Sequence, residues 1–470
     1  MRYASAILGS LLAISVPALA LAHGFGQRID LPVPLYLYLF GGGAIVALSF
    51  ILLGLSSGRL SEALHAYPRF DLMRLRWFRA LSSRVLLLPL KVVFVVILLS
   101  AIASGLWGNQ NPAFNMLPTV VWIFFAIGVT FASALLGNIW SVVNPFKALY
   151  EWTGILLREA GFTRKQNVLP AALGVWPAVA LFFAFRWIEN VSLMSSDPRP
   201  LAMFVGIYAL ITFGGMAMFG KEEWLRRGDP FSVFFAFLSR FSVTDARDGT
   251  IYLRPPAVGL IHQKASFSEM GFILLMLSSV AADGMLTTPA FQNIFSSLIG
   301  YGLPWFFVGT AGLAFLFAAF LAVYYGFSFL TKVISRDASS TMEFARRFIH
   351  SLLPIAVAYE IAHYVSILVI EGQRALYLIS DPFGRGWNIF GTADYEISYT
   401  ILNLKILWNV QVALIVVGHV IAVVIAHAIA ERFFKDRQKA FLSQYPMLAL
   451  MIFYSCLSLW IMAQPIIAIE

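Results

Sequence analysis

Glu360 and His363 lie three residues apart in an otherwise apolar run, Pro354 to Ser366. At about 100° and 1.5 Å per residue, a helix through this run sets both on one face, one turn apart, where a carboxylate and an imidazole can share a metal ion or a proton path. Ionisable groups at membrane depth are expensive and point to function, although a Glu–His pair can also simply lock two helices together. A second carboxylate, Asp283, ends the run Ser278-Ser279-Val280-Ala281-Ala282, followed by Gly284 and by a break at Thr287-Thr288-Pro289. Irregular backbone of that kind is tolerated at depth where it lines a cavity; a carboxylate near the end of a span also serves as a helix cap.

His23 is the fourth candidate. Arg2, the apolar stretch Ala4 to Leu19 and Ala20-Leu21-Ala22 have the order of a cleavable secretory signal, with cleavage after Ala22. His23 then begins the mature chain, and its α-amine and imidazole can chelate one ion, in the manner of copper sites built on an N-terminal histidine. Without cleavage, His23 belongs to a lead-in segment. The candidate metal ligands are therefore His23, His363, Glu360 and Asp283, with Glu360 and Asp283 also the candidate catalytic carboxylates. Histidine and carboxylate donors with an open position suit zinc, and the amine of His23 favours copper. Asn409 and Gln411 are candidate outer partners, or polar glue between helices. His419 and His427 share a helix face; a haem held by His363 and His419 is conceivable, but their depths differ by about 10 Å, which argues against it.

The elements that must position these residues are membrane spans. Of 470 residues, 60% are hydrophobic and 12% charged, far below the roughly one quarter of a soluble domain. Ten apolar stretches reach spanning length, near 34–55, 85–107, 116–137, 169–188, 201–220, 268–289, 304–331, 347–371, 404–429 and 443–466. The loops 56–84, 138–168, 221–267, 332–347 and 430–442 hold most of the Lys and Arg, whereas 108–115 and 290–303 hold none. This bias places both mature termini outside and explains the net charge of +9 without nucleic acid. The expected fold is all-α: residues 1–22 a signal peptide, 23–470 a single domain of ten transmembrane helices in a bacterial inner membrane, periplasmic at both ends.

Two inner loops share a pattern, Trp140 to Phe146 with Asn144-Pro145 and Trp224 to Phe231 with Asp229-Pro230. Asn or Asp then caps a helix that begins on Pro, and the aromatics with Lys147 or Arg240 read as short interfacial helices. Asp248-Gly249 marks a turn in a small hairpin. Lys91 is expected to snorkel. The single cysteine, Cys456, rules out an intramolecular disulfide and reads as a small core residue.

The stretch Ala22-His23-Gly24-Phe25-Gly26-Gln27-Arg28 with Asp30 to Pro34 resembles the opening of bacterial membrane proteins named as fenitrothion hydrolases. Trp224 to Phe234, Ala282-Asp283-Gly284, Pro354 to Tyr364, Val416 to His419 and Ala426-His427 extend the resemblance over most of the chain. It implies a membrane-bound hydrolase of organophosphate triesters and assigns no role to an individual residue. The residues allow metal-assisted hydrolysis of a small apolar ester drawn from the bilayer, and no G-x-S-x-G elbow offers a serine route. The alternatives are a proton- or metal-coupled transporter, in which buried Glu, His and Asp form an ion path, and a structural membrane subunit. No Gly-rich phosphate loop indicates ATP-driven transport.

Overall fold

The computed structural model describes residues 33–55, 66–159, 167–434 and 436–467. His23, His65 and the expected signal peptide lie outside the described residues. The chain is mostly helical. Ten helices matter here: α1 Leu35–Leu55, α2 Arg84–Trp107, α3 Met116–Leu135, α4 Trp176–Asn190, α5 Pro198–Phe219, α6 Phe267–Leu286, α7 Trp305–Ser335, α8 Leu353–Glu371, α9 Leu404–Phe433 and α10 Gln444–Ile467.

Among the described residues, nine helices are long and apolar enough to cross a membrane. The tenth expected span, 169–188, folds instead as the 15-residue α4. It is about 22 Å long at 1.5 Å per residue, short of the roughly 20 residues a bilayer core asks for. Pro170 and Gly174 hold its leading residues in a 3-10 turn rather than in the helix. Pro177, near the first turn of α4, needs no intrahelical donor there.

Local chemistry explains where the central helices begin. Ser266 and Glu269 cap α6 reciprocally: the Ser266 hydroxyl accepts from the Glu269 amide at 3.2 Å, and the Glu269 carboxylate accepts from the Ser266 amide at 2.7 Å. At the far end the chain breaks at Thr287-Thr288-Pro289, as expected, and Thr288 caps a short helix, Pro289–Gly300. Asn403 caps α9. α8 continues from Thr341–Phe348 through a 3-10 turn, Ile349–Leu352, so Pro354 falls in its first turn. Within α3, residues Thr119–Val129 wind as a π-helix, a rare form found mostly in single turns near functional sites.

α6 and the first half of α8 are buried, whereas α2 and α7 turn long apolar faces outward, compatible with a lipid surround. α9 packs against α8, α10 and α1. The crossing of α8 and α9 is tight: a Cβ on Gly418 would lie 2.2 Å from Ala358 Cβ and 2.9 Å from the Pro354 carbonyl.

Both Asx-Pro caps form, Asn144 accepting from the Lys147 amide at 3.0 Å and Asp229 from the Ser232 amide at 2.7 Å. The environments differ from expectation. Pro230–Ser239 is an interior helix, not an interfacial one, because Phe231, Phe234, Phe235 and Phe237 are all buried against α3, α4 and α6. A three-stranded antiparallel sheet departs from a purely helical fold: β1 Phe70–Asp71, β2 Thr244–Arg247 and β3 Thr250–Leu253, in the order β1-β3-β2. Asp248 and Gly249, with φ of 49° and 75°, make the expected hairpin turn, whose mirror-image geometry needs two left-handed residues.

Candidate functional site

α8 carries Glu360 and His363 on one face, and the two side chains meet different partners. Glu360 is buried and accepts from the Arg186 guanidinium at 3.1 Å. The second arm of Arg186 donates to Glu189, one turn along α4, at 2.6 Å. Phe182 and Phe185 lie beneath the guanidinium, 5.4 and 5.8 Å from its carbon. The arrangement suits arginine, whose planar fork bonds two carboxylates at once and whose weak hydration tolerates aromatic walls.

His363 turns toward α6. Its Nε2 lies 2.9 Å from Asp283 Oδ2, and the Tyr364 hydroxyl donates to the same oxygen, also at 2.9 Å. Asp283 can only accept when ionised, so the proton of that bond belongs to Nε2 and a neutral ring keeps its lone pair on Nδ1. Nδ1 points to Met462 Sδ on α10, 3.4 Å away. A Cβ on Gly284 would fall 2.4 Å from Ile461 Cγ2, 3.3 Å from the Tyr359 hydroxyl and 3.6 Å from His363 Cε1. The missing side chain is thus what lets α6 approach α8 and α10. The Tyr359 hydroxyl is buried with no hydrogen-bond partner among the described residues, and its ring centroid lies 5.9 Å from that of His363.

The expected set is therefore divided. Asp283 and His363 come together, Glu360 joins Arg186 instead, and His23 falls outside the described residues. No group of three or more His, Cys, Asp or Glu positioned to hold an ion is found among the described residues. Gln411 does support the site, donating to the Ala362 carbonyl at 2.9 Å and so tying α9 to the backbone beside His363. Asn409 does not: it is exposed and bonds its own helix at Lys405. Arg186, Glu189 and Met462 went unread in the sequence. The signal for the first two was available, since a charged pair at i and i+3 inside Trp176–Asn190 obeys the same rule as Glu360 and His363.

The other histidines are bound locally. His419 Nδ1 donates to its own Ile415 carbonyl at 2.7 Å. His427 Nδ1 donates to Gln444 at 2.9 Å, with Glu431 3.4 Å from Nε2 but not aligned for a hydrogen bond. His350 is buried beside Arg240, 2.7 Å away. His262 meets Arg432. Lys91 turns to Glu151, 3.8 Å away, and both side chains stay partly exposed.

A cavity of about 690 Å³ opens among α2, α3, α4 and α5. The π-wound stretch supplies much of its wall, including Trp122 and Phe125, and α4 contributes Phe185 and Ile188. Arg186 and Glu189 leave the same helix toward Glu360, so the apolar chamber and the charged cluster share α4 as a partition. The volume is that of a site for a drug-sized apolar molecule.

The chain matches no family model, no curated protein and no solved structure. Chemically, the arrangement provides a carboxylate-held imidazole whose second nitrogen faces a thioether sulfur, a buried arginine between two carboxylates, and an apolar chamber beside them.

Proposed function

We propose that the chain is a membrane-bound hydrolase of neutral, apolar phosphotriesters, acting at the Asp283–His363 pair with a metal ion held through His363. The observation that carries this reading is the 2.9 Å contact between Asp283 Oδ2 and His363 Nε2. Ligating histidines almost always give their other N–H to a carboxylate, which fixes the tautomer and makes the free nitrogen a better donor. A bound ion would supply Lewis acidity for the phosphoryl oxygen and for water. The chain's own part is to orient: Asp283 and Tyr364 hold the imidazole ring, Gln411 holds the backbone beside it, and Arg186 ties α8 to α4 through Glu360. The chamber favours a substrate that has already partitioned into lipid, and Thr119 adds a hydroxyl to its largely apolar wall.

In this reading the bundle sits in the bacterial inner membrane with α4 counted as a short crossing. Both mature termini are periplasmic, and the mature chain begins at His23. A second reading, proton- or metal-coupled transport, draws on the fully buried Arg186 between Glu189 and Glu360, because charge at depth marks ion and proton paths. Purified protein in detergent, without a membrane potential, separates the two. Hydrolysis predicts release of a nitrophenol from an aromatic phosphotriester, lost on chelation and restored by zinc or copper. Absence of release from metal-loaded protein, together with solute uptake in proteoliposomes, would sink the hydrolase and leave the transporter.

A further inference from the structure

We propose that Met462 is a ligand, and that His363 Nδ1 and Met462 Sδ together form a soft-metal site selective for monovalent copper. This deepens the reading of His363 as a metal ligand by naming the ion class, and it begins from a conflict between two lone pairs. Asp283 takes the Nε2 proton, so a neutral His363 presents the Nδ1 lone pair to a thioether sulfur 3.4 Å away. Two acceptors facing each other at that distance call for a cation, either a proton on Nδ1 or a metal ion shared by both atoms.

The spacing suits the metal. Bonds of about 2.0–2.1 Å to nitrogen and about 2.3 Å to sulfur, at a tetrahedral angle, place the two donors about 3.5 Å apart. A thioether is a soft donor that selects copper(I), whereas zinc gains little from it. A second observation points to the same place. Tyr359, one helical turn from His363, is buried, and its hydroxyl has no partner among the described residues. That hydroxyl and His363 Cε1 both lie against Gly284, 3.3 and 3.6 Å from where a Cβ would stand, beside Ile461. A buried hydroxyl without a partner loses free energy unless a ligand or water completes it, and an ion with an open coordination position brings such a group. Thioethers at helical spacing usually fill gaps in the core; what separates Met462 from that role is the nitrogen its sulfur faces.

The test uses the full chain in detergent with Cys456→Ser, which removes the only thiol and with it a competing soft donor. Copper(I) is titrated anaerobically against a chromogenic chelator, and the copper X-ray absorption edge reads the ligands directly. One copper(I) per chain with a sulfur neighbour is expected. Met462→Leu, close in volume and so tolerated in packing, should weaken copper(I) by about tenfold or more, since even outer partners of a metal cost about 10- to 100-fold. It should also erase the sulfur signal while zinc binding stays within about twofold, as a site gaining little from sulfur predicts. His363→Ala should remove both metals, with helical circular dichroism reporting that the chain still folds. Unchanged copper(I) affinity in Met462→Leu, or no sulfur in the parent spectrum, overturns the assignment and leaves Nδ1–H bonded to sulfur. Ester turnover tells the two readings apart. Copper–sulfur binding without turnover removes the hydrolase and keeps this site, while turnover with zinc alone and no copper–sulfur signal does the reverse.

Discussion

His363 and His419 are both set in apolar helices that pack on each other, one half-buried and one buried, yet they face opposite kinds of surroundings. His419 closes its Nδ1 on its own helix at Ile415 and meets no carboxylate among the described residues. His363 reaches a carboxylate on α6, which also accepts from the Tyr364 hydroxyl, and a sulfur on α10. What marks a site in a membrane bundle is thus the convergence of polar groups from different helices. A helix can give a lone histidine one backbone partner, as Ile415 does for His419, whose buried Nε2 has none among the described residues, but a carboxylate beside an imidazole has to be delivered by the fold.

Substitutions at both kinds of position sharpen that contrast. The largest effect is expected from Arg186→Leu, which takes the shared cation from the buried Glu360 and the half-buried Glu189. Breaking such a pair costs about 3–5 kcal/mol, read as a fall in the thermal or denaturant midpoint. The double substitution with Glu360→Gln should recover part of the loss, because one uncompensated carboxylate is gone. No recovery would mean that Arg186 acts by packing on Phe182 and Phe185 alone.

His363→Ala comes next and divides function from fold. Bound metal and turnover should vanish together while helicity persists. His419→Ala should change stability without touching metal content. Equal metal content in the two variants would erase the distinction drawn between them.

His427→Ala is a smaller step. It removes the ring that bonds Gln444 and leaves that buried amide oxygen short of a partner, for about 1–3 kcal/mol of stability and no change in metal content, measurable by thermal shift beside metal analysis.

Smallest is Lys221→Met, outside the spans. Glu151 lies 2.7 Å from Lys221 and 3.8 Å from Lys91. Burial raises the Glu151 pKa, but the bond to Lys221 and the nearby ammonium charges outweigh it, so the net shift is below the ordinary value. Burial likewise lowers Lys221, and its bonds to Glu151 and Glu222 bring it out raised. A lowered carboxyl stabilises the fold above its unfolded pKa and loses that contribution as pH falls through the folded one; a raised lysine loses its contribution as pH rises through its folded value. The pair therefore contributes between those limits. With both side chains partly in solvent, the effect is at most about 1 kcal/mol, and the variant should match the parent at acid pH. A difference that persists there would assign the effect to packing.

How much of this could be read from residues alone follows from range. Glu360 and His363 were legible as one face because three residues of helix fix their relation. Asn144-Pro145, Asp229-Pro230 and Asp248-Gly249 were legible because a cap or turn is written within four residues. The meeting of Asp283 with His363 followed only from comparing depths in two spans. Depth ranks residues along the bundle but not around it, so the division of Glu360 from His363 between α4 and α6 was not available. Arg186 was hidden in an apolar stretch read as an ordinary span. Met462 was hidden because a thioether gives no polar signal until the nitrogen it faces is known. The buried helix Pro230–Ser239 was misread for a related reason: aromatics beside one arginine describe an interface and an aromatic core equally well.

The crossing at Gly418 has a mechanical meaning. With Ala358 and the Pro354 carbonyl against it, α8 and α9 touch backbone to backbone, and neither can slide or roll past the other without collision. The pair behaves as a single beam with His363 fixed to it, so any opening of the site must be hinged where α4, α6 or α10 leans on that beam.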